Sequence, residues 1–288
     1  MIEQHDNLKV ARTVQDLREQ VNAWRAAGET VAMVPTMGAL HAGHLALMQI
    51  AKNRVDRVVA SIFVNPTQFA PGEDLEAYPR QEAADFGKLK EKSVDLVYCP
   101  TADEIYPDDF ATEIRLTGIT DQLCGDARPG HFNGVATIVA KLLIQCAPDL
   151  AIFGEKDYQQ LLVIRRMALD LDLPVEILGG ATVREADGLA LSSRNAYLST
   201  QEREIAPKLH QIMEILAQSI IDGGDVVDVT LAARHQLEKV GFSVDYLEVR
   251  NALDLTGVGR HIIVPARIFA AARLGNTRLI DNIAVNIS

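Results

Sequence analysis

A Rossmann-like, doubly wound parallel α/β sheet followed by a smaller C-terminal α+β domain is the fold this sequence predicts, and three observations carry it. Short β-branched runs alternate with stretches of helical period through the first half of the chain. Those runs are apolar on both faces, as in a parallel sheet covered by helices on each side. After about residue 180 the order changes, and two long helical stretches precede three strand-like runs, the pattern of a separate α+β unit. Right-handed crossovers between the parallel strands then give the doubly wound topology.

Thr13 to Ala27 reads as an amphipathic helix, and Thr30–Val34 as a buried strand ending at Pro35. His44 to Arg54 is helical, and Arg57–Val64 (RVVASIFV) is the second strand. Gln81–Lys92 is a helix, Asp95–Tyr98 a strand, Val135–Gln145 a helix and Leu150–Phe153 a strand. Asp157–Leu171 and Val175–Leu178 complete the series as helix and strand. The Gly179-Gly180 pair marks the boundary, dividing the chain into residues 1–179 and 180–288. Beyond it, Glu202–Ile221 and Val226–Val240 read as helices, and Tyr246–Arg250, Ile262–Ala271 and Arg278–Val285 as strands.

The bulk composition narrows the function. With 288 residues and 48% hydrophobic content, the chain can bury one large core or two moderate ones. Its 28 basic against 39 acidic side chains leave a formal charge of −11, which repels phosphate backbones and argues against nucleic acid as the main partner. A small anionic substrate in a local cationic pocket remains open. Cys99, Cys124 and Cys146 are spaced too widely for a CxxC pair and suit a reducing cytoplasm. Met1 to Lys9 is polar, and no apolar run approaches the roughly 20 residues of a membrane span. The expectation is a cytoplasmic protein with no membrane partner.

VPTMGALHAGH, Val34 to His44, carries the strongest chemistry. A buried strand ends, glycines at 38 and 43 loosen the turn, and two histidines fall at the mouth of a helix, where unpaired N–H groups attract phosphate. His41 and His44 are three apart and so share one side of the first helical turn. A zinc pair is the rival, but no third ligand sits at a suitable spacing. The second motif is SIFVNPTQF, Ser61 to Phe69, a strand leaving the core through Asn65-Pro66 and directing Gln68 outward. Alone, Gln68 would be a plain turn glutamine. Third is GDARPGHFNGV, Gly125 to Val135, read as a loop because of its three glycines and one proline. Arg128 there forks naturally onto a carboxylate or phosphate, and His131 is a supporting residue of unassigned role. Fourth is FGEKDYQQ, Phe153 to Gln160, following a strand and opening a helix. Gly154 permits close approach, Lys156 offers a mobile charge, and Asp157 can cap the helix. Fifth is TVREADGLALSSRN, Thr182 to Asn195, in which Ser192, Ser193 and Arg194 form a compact phosphate clamp. Arg184 and Glu185 could instead be an ordinary exposed ion pair.

The H-x-G-H turn resembles the HIGH signature of adenylate-forming and nucleotidyl-transferring enzymes. Together with the four motifs after it, which fall in the expected order, the chain resembles the pantothenate synthetase family of pantoate–β-alanine ligases. Leu191 replaces the family's usual methionine, an apolar exchange of similar volume. The resemblance implies an ATP-dependent condensation of (R)-pantoate with β-alanine through a pantoyl-adenylate, giving pantothenate, AMP and pyrophosphate. It implies that Met37, Gly38, Ala39, Leu40, His41, Ala42, Gly43 and His44 contact ATP. Gly154, Glu155, Lys156 and Asp157 would do so from a second turn, and Val183, Leu191, Ser192, Ser193 and Arg194 from a third. By the same resemblance Gln68, Gln160, Tyr78 and Arg128 line the pantoate and β-alanine pocket, and His44, His41 and Lys156 are catalytic. His44 is the choice for a proton donor, with charge stabilisation equally compatible. Mg²⁺ would ride on the phosphates without a dedicated protein ligand, the C-terminal domain would close as a lid, and the enzyme would be a homodimer.

Rival functions lack their motifs. There is no P-loop string and no G-x-S-x-G elbow, and Gly257-Val258-Gly259 lacks the third glycine of a dinucleotide fingerprint. A tRNA synthetase would need a basic RNA-binding stretch, and none is present. A nucleotidyltransferase would stop at nucleotide transfer, which leaves Gln68 and Gln160 without a purpose. A non-catalytic nucleotide-binding module would not be expected to hold the histidine pair, Lys156 and the Ser-Ser-Arg clamp together.

Overall fold

Alternation along the central strands explains why they are apolar on both faces. In β3 (Val31–Thr36), Val31 and Met33 enter one buried cluster, while Ala32 and Val34 enter another on the opposite side of the sheet. The computed structural model in which this is seen describes residues 2–5 and 8–286. Around β3 run β1 (Glu3–His5), β2 (Leu8–Ala11), α1 (Val14–Ala26), α2 (Ala42–Lys52), β4 (Arg57–Ile62), α3 (Glu82–Glu91) and β5 (Leu96–Tyr98). Two short helices follow, α4 (Ala102–Ile105) and α5 (Cys124–Ala127), then α6 (His131–Cys146), β6 (Leu150–Gly154), α7 (Tyr158–Asp170) and β7 (Glu176–Gly180). The strand order is β1-β2-β5-β4-β3-β6-β7, parallel throughout except for the β1–β2 pair. The chain winds outward from β3 to β5, then returns past β3 to β6 and β7. The carboxyl ends of β3 and β6 therefore flank a switch point, where ligands bind in such sheets. Helices α1, α6 and α7 cover one face, and α2 and α3 the other.

The C-terminal part comprises α8 (Thr200–Ile205), α9 (Lys208–Ile221), α10 (Val226–Lys239), β8 (Ser243–Asn251), β9 (Ala266–Leu274) and β10 (Thr277–Val285). The last three make an antiparallel sheet in the order β10-β9-β8. Leu209, Ile212, Met213, Leu216 and Ile220 of α9 pack with Ile268 and Ala270 of β9 in a separate buried cluster. The fold class is the one the sequence predicts.

Several boundaries differ, each for a physical reason. β3 runs through Pro35 to Thr36 because its ladder to β6 covers only Ala32 and Met33, so the missing proline N–H falls where no β6 partner is required. The stretch read as one helix over Glu202–Ile221 is two, broken where Pro207 cannot donate its N–H. Ile262–Pro265 lies outside β9, which starts after Pro265. β2, with only LKVA to show a period, is invisible in sequence yet buries Leu8, Val10 and Ala11. Gly179 and Gly180 are the last residues of β7, paired with Phe153 and Gly154. A Cβ on Gly180 would run into Leu47 of α2, so that glycine serves helix-on-sheet packing.

Candidate active site

The turn from β3 into α2 contains two successive left-handed residues, Gly38 at φ +80° and Ala39 at φ +50°. Such a turn points consecutive N–H groups into one concavity that suits an anion. The anion is internal. Asp85 of α3, fully buried, accepts from Ala39 N and Leu40 N at 2.8 Å each, and Lys88 one turn on donates to the Leu40 carbonyl at 2.7 Å. The left-handed geometry of a non-glycine persists because this carboxylate over-determines it. Gly38, Ala39, Leu40 and Ala42 therefore shape the turn and do not line the adjoining cavity.

Two residues on, His41 is the N-cap of α2, so this helix begins earlier than the sequence suggests. Its Nδ1 accepts from Gly43 N at 3.2 Å, and His44 Nδ1 accepts from His41 N at 3.3 Å, a capping box built from two histidines. Because both Nδ1 atoms are acceptors, the proton of each neutral ring sits on Nε2. The rings lie 4.1 Å apart. Burial, then Lys156 and Lys88, pushes His41 down to about 4. Burial, then His41, Lys156 and Lys88, pushes His44 down to about 3. Near neutral pH both are uncharged Nε2–H donors.

Across the switch point, β6 ends at Gly154 and a single 3₁₀ turn, Glu155–Asp157, leads into α7. Lys156 Nζ lies 3.8 Å from Asp157, whose carboxylate makes no cap bond to α7 and so differs from the capping role read from the sequence. Of the glutamines that follow, Gln159 is buried and its amide is taken up by Cys124 N and the carbonyls of Ile119 and Gln122. Gln160, half-buried, faces the cavity.

Gln68 sits at the end of a 3₁₀ turn, Pro66–Gln68, that packs on α6. Asn65, buried, holds this turn: its Nδ2 donates to Gln68 Oε1 at 3.0 Å and to the Gly134 carbonyl at 3.1 Å, and its Oδ1 accepts from Tyr106 and Thr67. The segment read as a loop over Gly125–Val135 instead holds α5 and the first turn of α6. Gly134 lies inside that helix and is glycine because a Cβ there would strike the backbone of Thr67 and Gln68. Arg128 forks onto Glu73 at 2.6 and 2.5 Å. It also faces His131 Nε2 at 3.1 Å, so that nitrogen accepts, and Nδ1 donates to the Gln68 carbonyl at 2.8 Å. Burial, then Arg128, pushes His131 down to about 4.

The Thr182–Asn195 arm supplies the remaining wall. Arg184 pairs with Asp281 of β10 at 2.6 and 2.9 Å and Glu185 with Arg203 at 2.5 Å, which sets aside the alternative of an exposed pair between the two. Ser192 caps its own 3₁₀ turn by accepting from Arg194 N, Ser193 meets the Tyr78 hydroxyl at 3.2 Å, and Arg194 forks onto Asp74 at 2.9 and 2.8 Å. Both forks of predicted substrate-binding guanidinium thus engage neighbouring carboxylates of the 69–80 segment. His41, His44, Lys156, Gln68, Gln160, Tyr78, Arg128 and Ser192–Arg194 line a single cavity of about 530 Å³, as do Met37, Gly43, Gly154, Asp157, Val183 and Leu191, whereas Glu155 does not. That volume is within the range of small-molecule sites.

A profile of the Pantoate-beta-alanine ligase family matches residues 9–284. The chain belongs to the pantoate–β-alanine ligase family. Pantothenate synthetase of Rhodospirillum rubrum is 53% identical over 279 residues, covering 96% of this chain and 99% of that one. The Caulobacter vibrioides pantothenate synthetase is 54% identical, covering 96% and 98%. Among solved structures, the Thermus thermophilus pantothenate synthetase superposes with a TM-score of 0.90 at 46% identity, covering 96% and 99% of the two chains. A Francisella tularensis pantoate–β-alanine ligase, solved with beta-gamma ATP and β-alanine, gives 0.81 at 33% identity, covering 97% and 98%.

For a pantoate–β-alanine ligase, sequence reasoning left out residues that act through others: Asp85, Asn65, Glu73 and Asp74. Asp85 lies 46 positions from the turn it fills, and no local pattern links the two. No group of three or more His, Cys, Asp or Glu side chains suited to a metal ion occurs among the described residues. Asp157 lines the cavity beside Lys156, and no arginine pairs with it among the described residues.

Proposed function

We propose that this ligase condenses pantoate with β-alanine at the expense of ATP, passing through a pantoyl-adenylate. The convergence of the two Nε2–H imidazoles, Lys156, the Ser192–Arg194 clamp and the two glutamines on one cavity carries the reading. In the first step a pantoate carboxylate oxygen attacks the α-phosphorus, and pyrophosphate leaves. In the second the β-alanine amine attacks the acyl carbonyl, AMP departs and the nitrogen loses a proton. Transfer of this kind asks the protein mainly to align groups and stabilise developing charge. His41 and His44 donate neutral hydrogen bonds to phosphate oxygens, and Lys156 adds a point charge beside them. Gln68 and Gln160 offer amides to the pantoate hydroxyl and carboxylate. Arg128 and Arg194 exchange Glu73 and Asp74 for substrate anions. Mg²⁺ would neutralise phosphate charge when bound, and Asp157 is the lining carboxylate that could meet it.

Residues 180–288 act as a cover that keeps water from the adenylate. The working enzyme is a cytoplasmic homodimer. Free Cys99, Cys124 and Cys146 fit a reducing compartment, and no described helix is long and apolar enough to cross a membrane. Purified protein with ATP, Mg²⁺, pantoate and β-alanine should yield AMP and pantothenate, and pantoate alone should support pyrophosphate–ATP exchange. Formation of ADP, or exchange indifferent to pantoate, would overturn the reading.

A further inference from the structure

The Lys156 turn is gripped from the far end of the chain. Asn282 of β10, buried, donates its Nδ2 hydrogens to two successive carbonyls, Glu155 at 2.9 Å and Lys156 at 2.8 Å. Its Oδ1 accepts from Arg267 of β9. The amide orientation follows from the chemistry, because an oxygen facing two carbonyls would find no hydrogen, while a guanidinium can only donate. Arg267 in turn lies 3.9 Å over the Tyr158 ring and 3.7 Å from the Glu155 carboxylate. The adjacent Asp281 holds Arg184 in the arm that carries Ser192–Arg194. Neighbouring residues of one strand thus tie down both arms of the cavity.

We infer that Asn282 is a positioning residue for Lys156, so that the lysine is correctly placed only while the three-stranded sheet is docked on the β6–α7 turn. The inference rests on the proposed contact between Lys156 and the nucleotide. Asn282 borders the same cavity, but its two amide bonds go to the backbone on either side of the lysine, and its effect passes through them. A catalytic group misplaced by about 1 Å can lose on the order of a hundredfold in rate. With part of the turn still held by Arg267 and Tyr158, about tenfold is expected on losing the two amide bonds.

The test is a double-mutant cycle of Asn282→Ala with Lys156→Ala, joined by Asn282→Asp. It is read in ATP affinity by calorimetry and in the rate of pantoate-dependent pyrophosphate–ATP exchange. Asn282→Ala should cost about tenfold in the wild-type background and nothing further in the Lys156→Ala background. Asn282→Asp keeps the shape and the Arg267 partner but turns oxygen toward both carbonyls, so it should be at least as slow as the alanine variant. Equal losses in both backgrounds would overturn the inference, as would near-normal rates for the aspartate variant beside a slow alanine variant. Should the aspartate variant fail to fold, the alanine cycle decides alone. ATP affinity does not depend on which acid is activated. A wild type that binds ATP without pantoate-dependent exchange would therefore sink the substrate assignment, while the affinity cycle would still decide the role of Asn282.

Discussion

Replacing Gly134 with alanine sets two physical expectations against each other. In a helix interior, alanine is favoured over glycine by about 1 kcal/mol, so propensity alone makes the variant more stable. The structure predicts the reverse. A Cβ on Gly134 would lie 2.5 Å from the Thr67 carbonyl carbon and 2.7 Å from Gln68 N, well inside the 3.4 Å at which ordinary contact begins. The opposing atoms are main chain, so no rotamer change relieves the overlap. α6 and the Pro66–Gln68 turn must part by about 1 Å, at a cost of about 1–3 kcal/mol for overpacking. The net expectation is a loss of up to about 2 kcal/mol, at about 2–4 °C of melting temperature per kcal/mol for a chain of this order. The same shift drags Gln68 out of place. The KM for pantoate should rise about tenfold or more, with the KM for ATP nearly unchanged. Thermal melts and steady-state kinetics on the one variant check both halves. A higher melting temperature with an unaltered pantoate KM would refute the close approach as the reason for this glycine.

Three further outcomes are expected. His44→Ala and Lys156→Ala should each lose about a hundredfold in exchange rate with native circular dichroism, and near-normal turnover in either would remove it from the mechanism. Asp85→Asn turns an NH₂ group toward one of the Ala39 and Leu40 amides and leaves a buried N–H unpaired, at about 1–3 kcal/mol. Its melting temperature and exchange rate should fall together, and a variant that melts like wild type would dismiss the carboxylate-filled turn. Finally, His41, His44 and His131 are held neutral, at about 4, 3 and 4 against an ordinary 6.5. Below pH 6.5 the unfolded chain takes up protons that the folded chain refuses, so their contribution is complete above that pH and is lost as pH falls toward 4 and 3. Replacing His131 with asparagine should flatten the decline of melting temperature between pH 6.5 and 4, and an unchanged slope would contradict its buried neutral state.

The paired histidines, Lys156 and the Ser-Ser-Arg string were legible because each lies in a short run at the end of a strand, where the parallel α/β pattern already directs ligands. The same local view misjudged what their neighbours do. The resemblance assigned Gly38–Leu40 to ATP, whereas the Ala39 and Leu40 amides are taken by Asp85 and that of Gly38 by Thr36. The Gly125–Val135 run looked like a loop because its glycines were counted as breakers, whereas Gly134 is needed inside a helix for close packing. Pro207 was overlooked within an otherwise continuous apolar period, and LKVA was too short to show one.

Read alone, the residue order determined the fold class, the order of the main strands and helices, and a set of polar side chains that line one cavity. These follow from periodicity and from chemistry packed into neighbouring positions, which act over a few residues. Only the tertiary structure decided which of those polar groups are engaged within the protein and by what: Arg128 by Glu73, Arg194 by Asp74, the Lys156 turn by Asn282. Such pairings join residues as many as 127 positions apart. Their geometry depends on how the strands are ordered and the helices packed, and no spacing along the chain encodes it.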